Sequence, residues 1–192
     1  FYKQGLYEEA LHKYFALFDH KLSIGFDFDQ TTDNTEKKRM EDTFRVISLS
    51  FCNLGGPEEV EKYFVRNGNR SYEDKVYSHL GEFYLAKRRY NDAAASYKTF
   101  VKLYAFHEVS PHFNMRIIEI YKRGGFATLV VEAKKEFAKT YALDSEYWQY
   151  FDINARQDVV GYLKGNLKDL ANHYHALYQD KRFIKEKVAN YQ

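Results

Sequence analysis

The chain has 192 residues, 45% of them hydrophobic and 29% charged, with a formal net charge of +2 at pH 7. This balance is typical of a folded protein with an ample core, and the Lys and Arg residues form no cluster dense enough for a nucleic-acid-binding surface. The one cysteine, Cys52, excludes an intrachain disulfide and a cysteine-based metal site. No run of about 18 apolar residues offers a membrane span.

Both ends of the sequence indicate a piece of a longer protein. The chain begins at Phe1 without a Met or a signal peptide, and it stops at Gln192 inside a helical pattern. We therefore expect targeting information to lie outside these residues.

The first helix is predicted over residues 6–20, where apolar residues recur with the period of an amphipathic helix. The helical period stops at residues 22–36, where we expect a solvated insertion loop. Within that loop, alternation of Ile24, Phe26 and Phe28 predicts a short extended segment before a polar turn.

The loop partly matches two functional motifs, a phosphatase nucleophile motif and a calcium-binding loop, but the sequence lacks other features that each of them requires. Asp27-x-Asp29-x-Thr31 matches the nucleophile motif of haloacid-dehalogenase-type phosphatases, but that site requires a parallel sheet, and no later segment predicts strands. Asp27, Asp29, Thr31 and Asp33 also alternate like calcium ligands, but the Gly and the bidentate Glu of a calcium loop are missing.

Residues 44–64 and residues 77–97 share one pattern of apolar and small residues. The second of these segments contains Y-x-x-L-G-x-x-Y at residues 77–84 and A-x-x-x-Y at residues 93–97. Six positions of the first segment each lie 33 residues before their counterparts; these are Phe44, Ile47, Ser48, Phe51, Val60 and Phe64. Six matches in one register indicate a tandem repeat of helix pairs, with close helix approach expected at Gly81 and Ala93.

Turn residues predict where these helices end. Residues 55–57, Gly-Gly-Pro, suit a left-handed turn followed by the first turn of a helix. Ser71 and Ser110 are predicted N-caps, the latter followed by Pro111, and residues 124–125, Gly-Gly, are predicted to end a helix.

The third helix pair is predicted to be less regular and splayed. A helix over residues 127–141 carries Ala133 at the repeat position, but Ala133 lies 40 residues after Ala93. In the preceding helix, Asn114 and Ile118 stand where the central repeat has Tyr77 and Gly81.

Residues 142–155 form a predicted connector that contains a cluster of aromatic residues: Tyr147, Trp148, Tyr150 and Phe151. Asp144 or Ser145 is expected to cap a short helical turn there. The rings either fill a gap between helix pairs or form an exposed platform for a peptide or a sugar.

A longer helix is predicted from Arg156 to about Asp180. Residues 167–174 repeat the first-helix pattern, with Ala171 at the Gly position. Phe183 stands where the pattern would continue with Ala, so we expect the last pair to depart from the repeat.

The seven histidines show no spacing that indicates catalysis or metal binding. His173 and His175 point about 200° apart around a helix, and the others have no acidic partner at helical spacing. No phosphate-binding glycine loop, nucleophile elbow or HExxH motif occurs. We therefore predict a non-enzymatic protein without a cofactor or a metal.

The repeated patterns over residues 44–64, 77–97 and 167–174 resemble the tetratricopeptide repeat (TPR). This resemblance implies an all-α fold, a right-handed TPR-like α-solenoid of about four to five helical hairpins, as a single domain over residues 1–192. The phrases RVISLSF, IYKRGGF and EAKKEF are similar to bacterial envelope proteins of the kind that includes the outer-membrane barrel-assembly lipoprotein. The resemblance implies a periplasmic or outer-membrane-associated location.

In such a solenoid, one strip of each first helix lines the concave side. The predicted strip consists of Arg45, Leu49, Lys75, Ser78, Glu82, Leu85 and Asn114. Its mixture of charged and apolar residues favours a peptide or a helix of another protein. The predicted function is therefore a protein-interaction scaffold, and the resemblance to envelope proteins implies a role in bacterial cell-envelope assembly. The alternative is a module that binds envelope glycan or peptidoglycan through residues 147–151.

Overall fold

The structure is a computed structural model that describes residues 2–30 and 32–180, with side chains from residue 5 onward. These residues form eight α-helices and one short 3-10 helix, and none of them forms a β-strand, which confirms the predicted all-α fold for this part of the chain. The helices are α1 (Tyr2–Ser23), α2 (Asn34–Leu54), α3 (Pro57–Asn67), α4 (Glu73–Ala86), α5 (Tyr90–Leu103), α6 (Ser110–Gly124), α7 (Ala127–Thr140) and α8 (Gln157–Gln179), and the 3-10 helix is Glu146–Gln149. None of the helices in these ranges is both long enough and apolar enough to cross a membrane.

The helices fall into two compact units. The first unit contains α1–α5 and ends at Leu103; the second begins at Tyr104 and contains α6–α8. The single domain expected over residues 1–192 remains a prediction.

In the first unit, α4 packs along α5 on one side and along α2 on the other, and α1 packs on α2. The shorter α3 contacts α2, α4 and α5. The core is rich in aromatic side chains, among them Phe15, Phe18 and Tyr72, because their large rings fill the space between helices. Consecutive helices of this unit are therefore all in contact.

The α4/α5 hairpin is tightly packed at Gly81, where the repeat pattern predicts close helix approach. A Cβ atom at Gly81 would lie 2.5 Å from Cε2 of Tyr97, so no larger residue fits without displacing the ring. The Tyr97 hydroxyl donates to Glu82 Oε1 at 2.6 Å, which holds the ring in this position. Ala93, the other predicted contact position, is fully buried.

Polar contacts fix the turn between α3 and α4 against α1. Arg70 Nε donates to both carboxylate oxygens of Asp19 at 3.0 Å, and the Tyr72 hydroxyl donates to Asp19 Oδ1 at 2.7 Å. The predicted N-cap at Ser71 is wrong, since α4 begins at Glu73. The Glu73 carboxylate instead accepts a hydrogen bond from the Arg70 N–H at 2.7 Å.

Two predicted helix boundaries at glycine are confirmed, and the cap at Ser110 is not. Gly55 and Gly56 have φ of 140° and 94° before α3, and Gly125 ends α6 with φ of 76°. Ser110 already belongs to α6, and its hydroxyl donates to the Tyr104 carbonyl at 2.7 Å instead of capping the helix.

The extended segment predicted at Ile24–Phe28 is wrong. Helix α1 continues to Ser23, and Gly25, with φ of 84°, turns the chain. Asp27 Oδ1 then accepts a hydrogen bond from the Asp29 N–H at 2.8 Å, a local bond that favours a turn over a strand. Asp33, which the sequence offered only as a calcium ligand, accepts from the Thr35 N–H at 2.8 Å and caps α2.

In the second unit, α7 packs on both α6 and α8. Its core brings together side chains of all three helices and of the connector: Ile118, Phe137, Tyr141, Tyr147, Val159 and Leu163. The predicted helical turn in the connector is confirmed as the 3-10 helix. Ser145 precedes its first residue, but no side-chain capping hydrogen bond forms there.

The repeat pattern within α8 is only partly buried: Leu170 is 9% exposed, whereas other positions of the pattern are exposed. Leu167 is 49% exposed and Ala171 is also exposed, although the pattern assigns both to a helix interface. Phe183, predicted to follow in the last hairpin, lies outside the described residues.

Candidate functional site

A groove of about 350 Å³ lies in the first unit between the loop of residues 24–30, α2 and α4. We call it the α2–α4 groove. Its lining combines aromatic, thioether and charged side chains: Phe26, Phe28, Asp29, Lys37, Met40, Glu41, Phe44, Lys75, Ser78 and His79.

The loop supplies one wall of the groove because its aromatic rings pack on the core. The Phe28 ring centroid lies 5.1 Å from that of Phe18 and 5.7 Å from that of Tyr72. Phe26 packs edge-on against Phe28 at 5.5 Å, and the Lys21 ammonium lies over the Phe26 ring. The expected solvated loop is therefore only partly solvated: its phenylalanines are packed, and its aspartates face solvent.

The floor is formed by Phe44 and His79, which stack face to face with centroids 4.0 Å apart and planes 6° apart. Burial lowers the pKa of His79, and the Lys75 ammonium lowers it further, while the Glu82 carboxylate opposes this shift. Because an unperturbed histidine titrates at about 6.5, His79 is neutral at pH 7. The floor therefore presents an uncharged, largely aromatic surface.

The rim of the groove carries charges from three elements. Lys75 Nζ of α4 donates to Asp29 Oδ1 of the loop at 2.6 Å. Lys37 and Glu41 of α2 are exposed one helical turn apart, and neither forms an ion pair with another described residue. The groove thus joins an apolar floor to a rim that carries the Lys75–Asp29 ion pair and the exposed charges of Lys37 and Glu41.

Two of the residues that the sequence predicts for a partner-binding strip, Lys75 and Ser78, line this groove. Arg45 lies one turn beyond Glu41 on α2 and is exposed, and Leu49 one turn further is 42% exposed. These residues continue the row of exposed side chains along α2.

The other predicted strip residues have different surroundings. Glu82 is exposed and accepts the hydrogen bond from Tyr97. Leu85 is only 5% exposed, which leaves its side chain little surface for a partner.

Asn114 forms a hydrogen bond within the second unit. Its Nδ2 donates to the hydroxyl of Tyr141 at 2.8 Å, and Tyr141 is fully buried. Burial raises the pKa of Tyr141, which keeps this phenol neutral. The polar residue at this repeat position therefore hydrogen-bonds to a buried hydroxyl at the C-terminal end of α7.

The aromatic connector is mostly packed inside the second unit. Tyr147 is 1% exposed and stacks on Phe151 with centroids 4.6 Å apart. Trp148 Nε1 donates to the Tyr141 carbonyl at 3.2 Å. Tyr150 is 59% exposed, but its ring stacks on Phe106 at 4.5 Å. A sugar platform built from Tyr147, Trp148 and Tyr150 would thus lack its first ring.

One of the loop aspartates stabilises the conformation of the loop, and the other forms an ion pair at the rim of the groove. Asp27 accepts the backbone hydrogen bond described above, and Asp29 binds Lys75. In residues 2–30 and 32–180, no three His, Cys, Asp or Glu side chains come together in a way that could hold a metal ion. Thr31, the third residue of the phosphatase-like and calcium-like patterns, lies outside these ranges.

Apart from Lys75 and Ser78, the residues that line the groove were not predicted as site residues from the sequence. Phe26 and Phe28 could have been identified from the sequence, because two phenylalanines inside an aspartate-rich loop need an apolar surface to pack against. Lys37 and Glu41 precede Arg45 at spacings of four, so they extend the predicted strip by two turns along the same side of α2. His79 could not have been identified from the sequence, since its place in the groove depends on its stacking against Phe44, which only the structure shows.

Comparison with protein-family models, with curated proteins and with solved structures finds no match to this chain. The resemblance to tetratricopeptide repeats remains a prediction from the sequence. The function must therefore be argued from the geometry of the groove.

Proposed function

We propose that the chain is a protein-interaction module and that its α2–α4 groove binds a peptide segment of a partner protein. The observation that carries this proposal is an open groove in which Phe26, Met40 and Phe44 adjoin exposed charges at Lys37 and Glu41. Apolar contact area with a charged rim is the usual arrangement of a protein-binding surface.

The size of the groove supports a small part of a peptide as the occupant. A cavity of about 350 Å³ is near the lower end of ligand sites, which suits one large side chain and its neighbours. Affinity then depends on burying that side chain against rigid walls, and the ring contacts of Phe28 and the Phe44–His79 stack supply such walls.

The helix arrangement supports a TPR-like scaffold. The six matches at a period of 33 residues, the consecutive packing of α1–α5 and the contact of Gly81 with Tyr97 all favour TPR-like hairpins within a right-handed α-solenoid. Repeat scaffolds of this kind offer the inner sides of successive helices to extended ligands. The similarity to envelope proteins is the support for a role in the bacterial cell envelope.

A selection from a displayed library of random 12-residue peptides tests this function. Enriched peptides are synthesised with a fluorescent label, and their dissociation constants for the chain are measured by fluorescence anisotropy. We expect Ser78→Trp to weaken binding at least about tenfold, because the indole would fill the groove. Among the described residues, the Ser78 hydroxyl donates to the Lys75 carbonyl of its own helix, so its removal breaks no hydrogen bond between helices.

Lys102→Trp, at an exposed position of α5 outside the groove, is the matched control and should bind as the unchanged chain does. Circular dichroism verifies that both variants are folded. Failure to enrich any peptide, or equal binding by the two tryptophan variants, would contradict the proposal.

A further inference from the structure

The loop that forms one wall of the α2–α4 groove has the sequence Phe26-Asp27-Phe28-Asp29, in which rings and carboxylates alternate. Its rings contact the apolar part of the groove, and its last carboxylate reaches across to Lys75 on α4. An aromatic ring and a carboxylate of the chain's own loop thus make the two kinds of contact that the groove lining is suited to make with a ligand.

The contact between Asp29 and Lys75 is the replaceable part of this arrangement. The Asp29 side chain is 74% exposed, whereas that of Lys75 is 24% exposed and lies at the boundary of the groove. An ion pair with one partner in solvent contributes little to stability, since water competes for the exposed carboxylate. By contrast, the Phe28 ring packs against three core rings, those of Phe18, Phe44 and Tyr72, so the loop backbone remains in place when the carboxylate leaves.

We propose that Asp29 occupies the position of a partner's carboxylate on Lys75, and that the groove recognises a peptide in which an acidic residue adjoins a large apolar one. The proposal rests on the function proposed above and specifies the partner's chemistry. The partner's acid replaces Asp29 on Lys75, and its apolar side chain enters beside Phe26, Met40 and Phe44.

The other charges of the rim agree with this choice. Once Asp29 is displaced, the groove presents two cations, Lys75 and Lys37, and one anion, Glu41. Lys37 has no ion-pair partner among the described residues, so it offers a second contact to an acidic peptide. Glu41 disfavours an acid on its own side of the rim and thereby directs the peptide's carboxylate to the lysines.

Asp29→Asn tests the proposal. Peptide affinity should rise if Asp29 competes with the ligand for Lys75, and it should fall if Asp29 instead holds the groove in shape. If Asp29 competes with the ligand, its removal tightens binding of the selected peptides by about two- to fivefold, the range expected for an exposed ion pair. The Asp29 N–H that bonds to Asp27 is unchanged in this variant. Asp42→Asn, with the same loss of charge at an exposed position of α2 outside the groove, should leave the dissociation constant unchanged.

Two further measurements complete the test. Lys75→Met, which keeps the length of the apolar stem, should weaken binding and abolish the gain from Asp29→Asn. Replacing the acidic residue of the peptide by its amide should weaken binding to the unchanged chain and leave Lys75→Met unaffected.

Unchanged or weaker binding by Asp29→Asn, or selected peptides that lack an acidic residue, would overturn this inference. If those peptides still lose affinity with Ser78→Trp, the groove binds peptides and only the role of Asp29 is refuted. If Ser78→Trp has no effect on them, the proposed function fails as well.

Discussion

Gly81 and the ring of Tyr97 are packed so closely that a Cβ atom at Gly81 would lie 2.5 Å from Tyr97 Cε2 and 2.9 Å from Cδ2. The ring cannot retreat freely, because its hydroxyl is bound to Glu82 Oε1. The contact sets the distance between α4 and α5, and α4 in turn carries Lys75, Ser78 and His79 to the groove.

Gly81→Ala should therefore destabilise the first unit. Alanine is normally better than glycine inside a helix by up to about 1 kcal/mol, but forcing an extra carbon into a filled interface costs about 1–3 kcal/mol. We expect a net loss in the free energy of unfolding, measured by urea denaturation with circular dichroism.

Gly161→Ala provides the control, since in the described part of the chain no atom outside the local helix backbone lies within 4 Å of a Cβ placed at this position of α8. This variant should be as stable as the unchanged chain or more stable by up to about 1 kcal/mol. A Gly81→Ala variant that gains stability like Gly161→Ala would refute the close contact.

Asn114→Ala should lower the stability of the second unit and leave peptide binding unchanged. The substitution removes the hydrogen bond to the buried Tyr141 hydroxyl, and an unsatisfied buried group costs about 1–3 kcal/mol. Urea denaturation measures the cost, and combining Asn114→Ala with Tyr141→Phe should recover part of it. Weaker peptide binding at unchanged stability would instead restore Asn114 to the partner-binding strip that the sequence predicts.

The stability of the first unit should fall as the pH drops below about 6.5. Burial lowers the pKa of His79 in the folded state, so the unfolded chain takes up a proton at a higher pH than the folded chain does. The free energy of unfolding is therefore unaffected by this group above the unfolded pKa and decreases below it, by at most about 1.4 kcal/mol at pH 5.5.

Urea denaturation at pH 7.5 and pH 5.5 checks this effect. His79→Gln should show a smaller decrease between the two pH values than the unchanged chain, even though losing the stack on Phe44 lowers its stability at both. His173→Gln, at an exposed position of α8, should keep the full decrease. Equal decreases in all three proteins would show that His79 titrates normally.

The helices and the α4/α5 contact could be predicted because their causes are local. A helix repeats every 3.6 residues, and the glycines at 55–56 and 125 mark its ends through left-handed backbone angles. Gly81 was assigned to a close contact because it is a small residue on an otherwise apolar side of a helix.

The groove could not be predicted in this way, because its lining depends on distant residues. Phe28 finds its place against Phe44 and Tyr72, and Asp29 meets Lys75 46 positions later. The repeat register assigned Lys75 and Ser78 to one strip of α4, and both line the groove, but the register does not indicate which neighbouring residues cover such a strip. For that reason it assigned the buried Leu85 and the internally bonded Asn114 to the same accessible strip.

Binding of a peptide in the α2–α4 groove is most directly tested by titrating a selected peptide into the 15N-labelled chain and following backbone amide chemical shifts by NMR. The account predicts that the shifted amides concentrate in residues 26–30, 37–45 and 75–79, and that Ser78→Trp suppresses the shifts. Shifts confined to α6–α8, or to surfaces of the first unit away from these residues, would contradict it.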